Sequence, residues 1–552
     1  MPESQLLKTN VPFVMMGIYI LFVFFLSYKA TITGRLKRRH KEQTFEDFYT
    51  GGKSMSAMVV GLVTIVTFYS GTTFTGRVGF VYNFGVIGLT SIFICSFTGV
   101  VMFFLAEKVW PLAKKYRLGT LSDFMELRYQ NKPIKMLTAL IIVSFNIIWL
   151  ITEIRTLGYA VNVASGGSIT TTVGSAAIFA IIIVYVCTGG IRSVASVDSF
   201  SSALMLAGSV IVLIYIVAFY YGGSLSDMFA AGVAADPMKS YITPQDRFGM
   251  PYWISSIVLG TLVMLVYPSN FMSICMGNSV KAIKKSALAT SLSGVWLLIY
   301  GVFAFAALGL AAKGITIQNP EASLMEMLSY SGSEFMLGLL LTFILAASLG
   351  TLDSTLISLS ALVANDVITN GRDIARGEPC IGATGDDVNV IELRTTKHAK
   401  AEVLTTRILV VFLGIVAFIL SLKDLPLLVL LTNYATNGLV QIVPPVVLGL
   451  YWRKSTPIAA VTSMLAGLAS FLALDAYMRL VFRPSAPEGV EFLDGVFLGS
   501  PALVINLIVF VAVSLLTYKK YYSDKSGLQG VYDDFFVKER VNDYLKRNKV
   551  LS

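Results

Sequence analysis

The chain has 552 residues, of which 55% are hydrophobic and 14% charged, and its formal net charge is +10. Soluble globular proteins average about 25% charged residues, so most of this molecule cannot face water. The apolar runs are continuous rather than alternating, which favours membrane-spanning helices over a β-barrel. Nucleic acid is not an expected partner, because the basic residues lie in short loops between apolar runs, as they do beside a lipid bilayer.

Thirteen apolar runs predict transmembrane helices, each of which needs about 20 residues to cross a bilayer. In chain order they are 10–30, 56–82, 84–106, 136–163, 170–187, 197–220, 251–276, 287–313, 334–364, 404–422, 427–451, 457–480 and 499–518. Lys and Arg are concentrated in the loops after the first, third and seventh runs and after the last. The positive-inside rule therefore predicts a multi-pass protein of the cell inner membrane, with its N-terminus outside and its C-terminus in the cytoplasm.

Two polar segments are too short for an enzymatic domain, so we predict one membrane domain and no enzymatic activity. Residues 366–402 form a predicted cytoplasmic loop without apolar periodicity. In the tail, 519–552, four apolar residues recur at roughly helical spacing, namely Val531, Phe535, Val541 and Leu545. That spacing predicts an amphipathic helix lying at the membrane interface.

Two predicted helices carry sequences that interrupt a helix. The second run has three glycines within 70–79, and the seventh has Pro268, which removes a backbone donor. Glycine and proline are common in membrane helices, but these two runs lie five helices apart. Because five is odd, the second set of five enters the membrane from the opposite side, which indicates an inverted repeat of 56–220 and 251–451. Unwound backbone at such positions exposes groups that bind solutes and ions.

Ionisable residues inside the predicted helices are costly and therefore indicate function. There are five of them: Arg77, Glu153, Arg155, Asp198 and Asp353. Glu153 and Arg155 are two residues apart and so face different sides of a helix. Asp198 lies near the predicted start of its helix, where a solvated end residue is the alternative reading.

Asp353 lies in a run of small and hydroxyl-bearing residues, 345–354. Hard cations take oxygen ligands, and Thr351, Asp353, Ser354 and carbonyls near Ala347 would supply them to sodium. The alternative is that small residues here serve close helix packing.

The substrate is expected to be a small organic anion or an amino-acid-like solute, because a buried guanidinium suits a carboxylate by forked hydrogen bonding. Arg77 lies in the first interruption, and an arginine reaching out to water is the alternative. The other candidate cavity residues are polar or aromatic and lie near the interruptions or on neighbouring helices: Thr72, Thr73, Trp149, Glu153, Tyr267, Asn270, Asn433 and Gln441.

Several segments together resemble the sodium:solute symporter family, whose members carry proline, pantothenate, sialic acid, sugars and iodide. They are 48–54 (FYTGGKS), 119–124 (GTLSDF) with Arg128 and Tyr129, 188–194 (TGGIRSV) followed by Asp198, 349–354 (LGTLDS) and 438–453 (GLVQIVPPVVLGLYWR). The resemblance implies the leucine-transporter fold and sodium-coupled uptake. It covers a transporter core, 45–453, between an N-terminal helix, 1–33, and two peripheral helices within 457–518.

The resemblance also implies two sodium sites. The first would use the carbonyls of Val66, Tyr69 and Ala347 and the side chain of Thr351. The second would use Asp198 with Asp353 and Ser354. At position 350 the chain has glycine where the family usually has serine, so one hydroxyl ligand is missing from both sites. Coupling to protons and a non-transporting sensor of the same fold remain the alternative functions.

Overall fold

The computed structural model describes residues 6–37, 56–189, 191–242, 248–383, 399–423, 426–482, 495–523, 529–537, 541, 543 and 545, which fold as helices joined by loops. Segment 48–54 lies outside the described residues. An N-terminal helix, Val11–Lys37, precedes ten core helices. Core helices 1 to 5 are Ala57–Phe68 with Gly71–Phe74 and Gly76–Phe84, then Thr90–Lys115, Lys132–Ala164, Thr171–Gly189 and Ile191–Tyr221. Core helices 6 to 10 are Met250–Val266 with Pro268–Met276, then Val280–Trp296 with Leu298–Gly309, Glu334–Ala361, Ala399–Ser421, and Leu428–Leu439 with Val443–Tyr451.

The described chain has a helix in each predicted interval, ending with the C-terminal pair Pro457–Tyr477 and Gly499–Ser523. Within the described residues, nine helices are long and apolar enough to cross a membrane, and core helix 6 passes this test as a pair bent by 50°. Core helices 1 and 10 fall short because they are interrupted.

Contacts between the core helices repeat with an offset of five. If each helix is matched to the helix five places along, the contact between core helices 1 and 7 corresponds to the contact between core helices 6 and 2, and both are present. The contact between core helices 5 and 8 likewise corresponds to the contact between core helices 10 and 3. The pairs of helices 3 and 4 and of helices 8 and 9 are related in the same way. The described helices therefore form two five-helix halves of inverted topology, as the two interruptions predicted.

Local backbone chemistry explains both interruptions. In core helix 1 the backbone leaves the helical region at Tyr69 (φ −100°, ψ 63°) and again at Thr75 (φ −118°, ψ −82°). In core helix 6, Pro268 forces the preceding Tyr267 into an extended conformation (φ −67°, ψ 125°). The broken first and sixth core helices are thus confirmed.

Two expectations about the polar segments differ from the structure. Core helix 8 does not end near 366, because a π-helical stretch, Leu362–Thr369, and a further helix, Asn370–Ala375, continue it. Residues 384–398 of the expected loop lie outside the described part. The tail does form a helix, Gln529–Phe536, but its apolar residues and Val541 and Leu545 are buried against the core. The prediction of an interfacial helix is therefore wrong.

Candidate functional site

The break in core helix 1 is wedged between core helices 3 and 8 at Gly71. A Cβ added to Gly71 would lie 1.7 Å from Ser348 Oγ, 3.0 Å from Ser348 Cβ and 2.8 Å from Thr156 Cγ2. Only a glycine fits at this separation, because real Cβ contacts are far longer. The close approach brings the unwound backbone directly against core helix 8.

Glu153, on core helix 3, caps the second half of the broken helix. Its Oε2 accepts a hydrogen bond from the backbone N–H of Gly71 at 3.1 Å, and its Oε1 accepts one from the Thr72 hydroxyl at 2.6 Å. A carboxylate at a helix N-terminus is stabilised by the free N–H groups and by the helix dipole. Glu153 was predicted to line the cavity. In the structure it holds the break in place.

The predicted first sodium site falls at the contact between the break and core helix 8. The first half of core helix 1 ends at Phe68, and the N–H of Tyr69 donates to the carbonyl of Ile65 at 3.1 Å. Carbonyls in the last turn of a helix have no partner within it, which leaves those of Val66 and Tyr69 as candidate ligands. Ala347 and Thr351 flank Ser348 on the opposing helix, and the Thr351 hydroxyl donates to the Ala347 carbonyl at 3.3 Å.

The residues of the predicted second site lie between core helices 5 and 8. Asp198 and Asp353 are both fully buried and close enough to interact electrostatically. Neither carboxylate oxygen of Asp198 hydrogen-bonds a described residue. The helix begins at Ile191, so the alternative of a solvated end residue is wrong for Asp198. Two adjacent buried carboxylates repel each other unless a cation or a proton joins them, and so this pair fits a sodium ion chemically.

Aromatic and hydroxyl side chains lie together between the two breaks. Trp149 packs edge-on against Tyr267 with ring centroids 5.3 Å apart, and the Tyr267 hydroxyl lies 3.5 Å from that of Thr355. Asn270 spans the second break by donating to the Met264 carbonyl at 3.0 Å. Thr73 is fully buried in the short helix that follows the first break.

Arg77 lies on the second half of core helix 1, which packs on core helix 7. Tyr252 of core helix 6, Tyr300 of core helix 7 and the Glu153 carboxylate of core helix 3 are within electrostatic range of its guanidinium. The side chain is half-buried, and it forms no hydrogen bond or ion pair with any residue that the structure describes. A guanidinium in this state retains its full capacity to bind an anion.

Three other residues considered from the sequence have different surroundings. Gln441 is fully buried against the C-terminal pair, where it donates to the Gly499 carbonyl at 3.3 Å. Arg155 donates to the Lys423 carbonyl at 3.1 Å, on the other side of core helix 3 from Glu153, as the two-residue spacing predicted. Asn433 donates to the Tyr252 hydroxyl at 3.3 Å, which joins core helices 10 and 6.

Core helix 8 carries polar residues that the sequence prediction did not include. Ser348 and Thr355, with Thr351 between them and Ser358 beyond, form a buried stripe. Residues three and four apart lie on one face of a helix. This spacing is visible in the sequence and would have identified the face of core helix 8 that meets the breaks.

Together these features define a secondary transporter of the leucine-transporter fold: two inverted halves, two broken helices and a buried carboxylate pair. The sequence model of the sodium:solute symporter family matches residues 48–378, and the chain belongs to that family. Its members are transporters rather than enzymes, and the chain is accordingly a multi-pass membrane protein that couples sodium to the symport of a small solute.

The similarity to known proteins extends over nearly the whole chain. It is 23% identical to the uncharacterised symporter YhjB of Bacillus subtilis, over 91% of this chain and 98% of that protein. It is 24% identical to the sodium/pantothenate symporter of Escherichia coli, over 85% and 92%. Among solved structures, a Na+-coupled sialic acid symporter in a substrate-bound outward-open state matches with a TM-score of 0.70 at 15% identity, covering 92% of this chain and 98% of that one. At this identity the structural match shows the fold.

Proposed function

We propose that the chain imports a small carboxylate-bearing solute together with sodium, and that Arg77 binds the carboxylate. The observation that carries this proposal is the half-buried guanidinium beside the first break, which forms no hydrogen bond or ion pair with a described residue although Glu153 lies within electrostatic range. The nearby Glu153 already accepts hydrogen bonds from Gly71 and Thr72. The names of two similar proteins, a pantothenate symporter and a sialic acid symporter, also denote organic acids.

In this proposal sodium occupies two positions. The first uses the carbonyls of Val66, Tyr69 and Ala347 with the Thr351 hydroxyl, and the second uses Asp198, Asp353 and Ser354. The ligand shortage at Gly350 is offset by Asp353, whose full negative charge replaces a neutral hydroxyl. The solute occupies the space between the breaks, bounded by Trp149, Tyr267, Thr72, Thr73 and Asn270, with Asn433 at its edge.

The proposed orientation places the C-terminus in the cytoplasm of a cell whose inner membrane holds the protein. The basic loops after the first, third and seventh predicted helices support it. The proposed domain limits are 45–453 for the core, with the peripheral helices and the tail outside it. Sodium binding favours the outward-open state, and the core then rocks to release both ligands inward.

The carboxylate proposal is tested by uptake into proteoliposomes under a sodium gradient. A panel of radiolabelled acids is screened, and each active acid is then competed with its own unlabelled amide. Arg77→Gln is expected to reduce the preference for the acid over the amide by about 10- to 100-fold, since a charge-assisted hydrogen bond contributes about 1.5–3 kcal/mol. Arg77→Lys should retain part of the preference. An unchanged preference in Arg77→Gln would remove the carboxylate assignment.

Coupling to protons is the second candidate, because a proton shared by Asp198 and Asp353 would also relieve their repulsion. Uptake driven by a sodium gradient at equal pH is compared with uptake driven by a pH gradient without sodium. The sodium proposal predicts uptake in the first case only. It also predicts that Asp353→Asn raises the sodium concentration needed for half-maximal uptake. Uptake under the pH gradient alone would favour protons.

A further inference from the structure

The tail helix Gln529–Phe536 lies across one end of the bundle and contacts several parts of the core. It packs on core helix 2, on the end of core helix 10 and on a loop helix, Leu121–Tyr129, that joins core helices 2 and 3. Its Val531 also meets Gly382, which follows core helix 8: a Cβ added to Gly382 would lie 3.1 Å from the valine side chain. One eight-residue helix thus touches elements from both halves of the repeat.

A single carboxylate connects the tail to core helix 2. Asp534 Oδ2 lies 2.5 Å from Lys115 Nζ and accepts a hydrogen bond from the Tyr116 hydroxyl at 2.5 Å. Both side chains of the ion pair are fully buried. One carboxylate thus receives both an ion pair and a charge-assisted hydrogen bond from the end of core helix 2, and such hydrogen bonds are stronger than neutral ones. The docked tail therefore depends on Asp534.

Arg128, on the loop helix, connects the tail to core helix 10. It is fully buried, and its guanidinium donates to the carbonyl of Gly449 at 2.6 Å and to that of Trp452 at 3.3 Å. Three aromatic rings of the tail lie 5.3 to 5.6 Å from its Cζ, those of Tyr532, Phe535 and Phe536. Cation–π contacts are stronger where the groups are desolvated, so these three rings help to hold the docked tail on Arg128.

The loop helix is in turn tied to core helices 3 and 8. Lys135 of core helix 3 lies 2.7 Å from Asp123, 3.2 Å from Glu126 and 3.5 Å from Asp366 at the end of core helix 8. Burial raises the pKa of Asp123, but the Lys135 ammonium and two backbone N–H groups of the same loop outweigh it, so the pKa lies below its ordinary value. The loop helix is therefore bound to the same body as core helices 3 and 8.

We propose that the tail helix is a cytoplasmic latch that holds the inward-closed state, with Asp534 as a positioning residue for transport. The inference rests on the proposed orientation and cycle. Core helix 2 and core helices 3, 8 and 10 must separate at their cytoplasmic ends for the bundle to open inward. The tail joins these ends while it is docked, so it undocks in each transport cycle.

The test measures access from the cytoplasmic side. The native cysteines Cys95, Cys187, Cys275 and Cys380 are replaced by alanine, and Thr355→Cys serves as a reporter between the breaks. Labelling by a membrane-impermeant maleimide is followed in inside-out vesicles. Asp534→Asn is expected to raise the labelling rate by about tenfold or more, a population change of about 1.4 kcal/mol. Asp543→Asn removes the same charge from an exposed position of the same tail and should leave the rate unchanged.

Exchanging the two charges of the ion pair distinguishes a latch from a residue that only stabilises the fold. Lys115→Asp combined with Asp534→Lys restores the ion pair and should bring the labelling rate back towards that of the reporter protein. Size-exclusion profiles of all variants are compared first, and Lys115→Met, which removes the other partner of the ion pair, replaces Asp534→Asn should the latter aggregate. Equal labelling rates in the Asp534 and Asp543 variants would overturn the latch. Failure of the proposed function gives a different result: sodium then leaves labelling of the reporter protein unchanged.

Discussion

Replacing Gly71 with alanine should weaken sodium binding, because the added methyl group would displace the broken helix from core helix 8. The new methyl would meet Ser348 Oγ at 1.7 Å, but that hydroxyl can rotate away. The decisive distances are 2.8 Å to Thr156 Cγ2 and 3.0 Å to Ser348 Cβ, which belong to two different helices. Both are shorter than ordinary carbon contacts of about 3.5–4.0 Å, so the break must move by several tenths of an ångström.

The magnitude follows from the cost of overpacking, which is about 1–3 kcal/mol. In the proposed first site sodium bridges the break and core helix 8, and so the strain acts against the sodium-bound state. At about 1.4 kcal/mol per factor of ten, the half-maximal sodium concentration for uptake should rise by about 5- to 150-fold in Gly71→Ala.

Gly61→Ala is the matched control, because it makes the same change in the same core helix. An added Cβ there lies 3.8 Å from Ser286 Oγ, an ordinary contact. Thr156→Ser offers a rescue, since it removes the 2.8 Å methyl while keeping the hydroxyl that pairs with Thr75 at 3.0 Å. Combined with Gly71→Ala, it should recover part of the sodium affinity. The reasoning is refuted if Gly71→Ala and Gly61→Ala have the same sodium activation curve.

Three further predictions concern groups whose roles the structure defines. Glu153→Gln can still pair with the Gly71 N–H and the Thr72 hydroxyl, but it removes the negative charge that strengthens both hydrogen bonds, and solute uptake at equal expression should fall by about fivefold or more. Lys135→Met should lower the unfolding temperature at pH 7, since breaking a buried pair costs about 3–5 kcal/mol. The drop in unfolding temperature should be smaller at pH 5 than at pH 7. Without Lys135, burial raises the pKa of Asp123, so protonation of this carboxyl at lower pH stabilises the fold of the variant. An equal drop at both pH values would contradict this. Gln441→Leu should lower thermal stability, because the hydrogen bond with Asn506 is lost. The apparent KM for solute should stay unchanged, and a raised KM would instead indicate that Gln441 contacts the solute.

The interruptions were predictable because their causes are local. Pro268 acts on the residue before it, and Gly71 marks a close approach whichever helix it meets. The pairing of the halves followed from counting helices between the two breaks. Each break depends on nearby residues alone, and the pairing of the halves needs only the number of helices between the breaks.

The role of Glu153 was not predictable, because its partners lie 82 and 81 residues away in the chain. The sequence identified it only as a buried carboxylate, which suits a substrate ligand and a helix cap equally. The tail shows the same limit. The spacing of Val531 and Phe535 indicates an apolar face, but periodicity does not distinguish lipid from protein as its partner.

Core helix 3 connects the break in core helix 1 with the ion-pair cluster around Lys135. Its 33 residues make a rod about 50 Å long at about 1.5 Å per residue, against a hydrocarbon layer of about 30 Å. Lys135 and Glu153 lie on the same rod, about 27 Å apart by that rise. Because a continuous helix tilts as a unit, a tilt of core helix 3 that separates Lys135 from its carboxylate partners would also move Glu153, which caps the broken helix. In the proposed transport cycle, inward opening would therefore also loosen the backbone that is proposed to bind sodium.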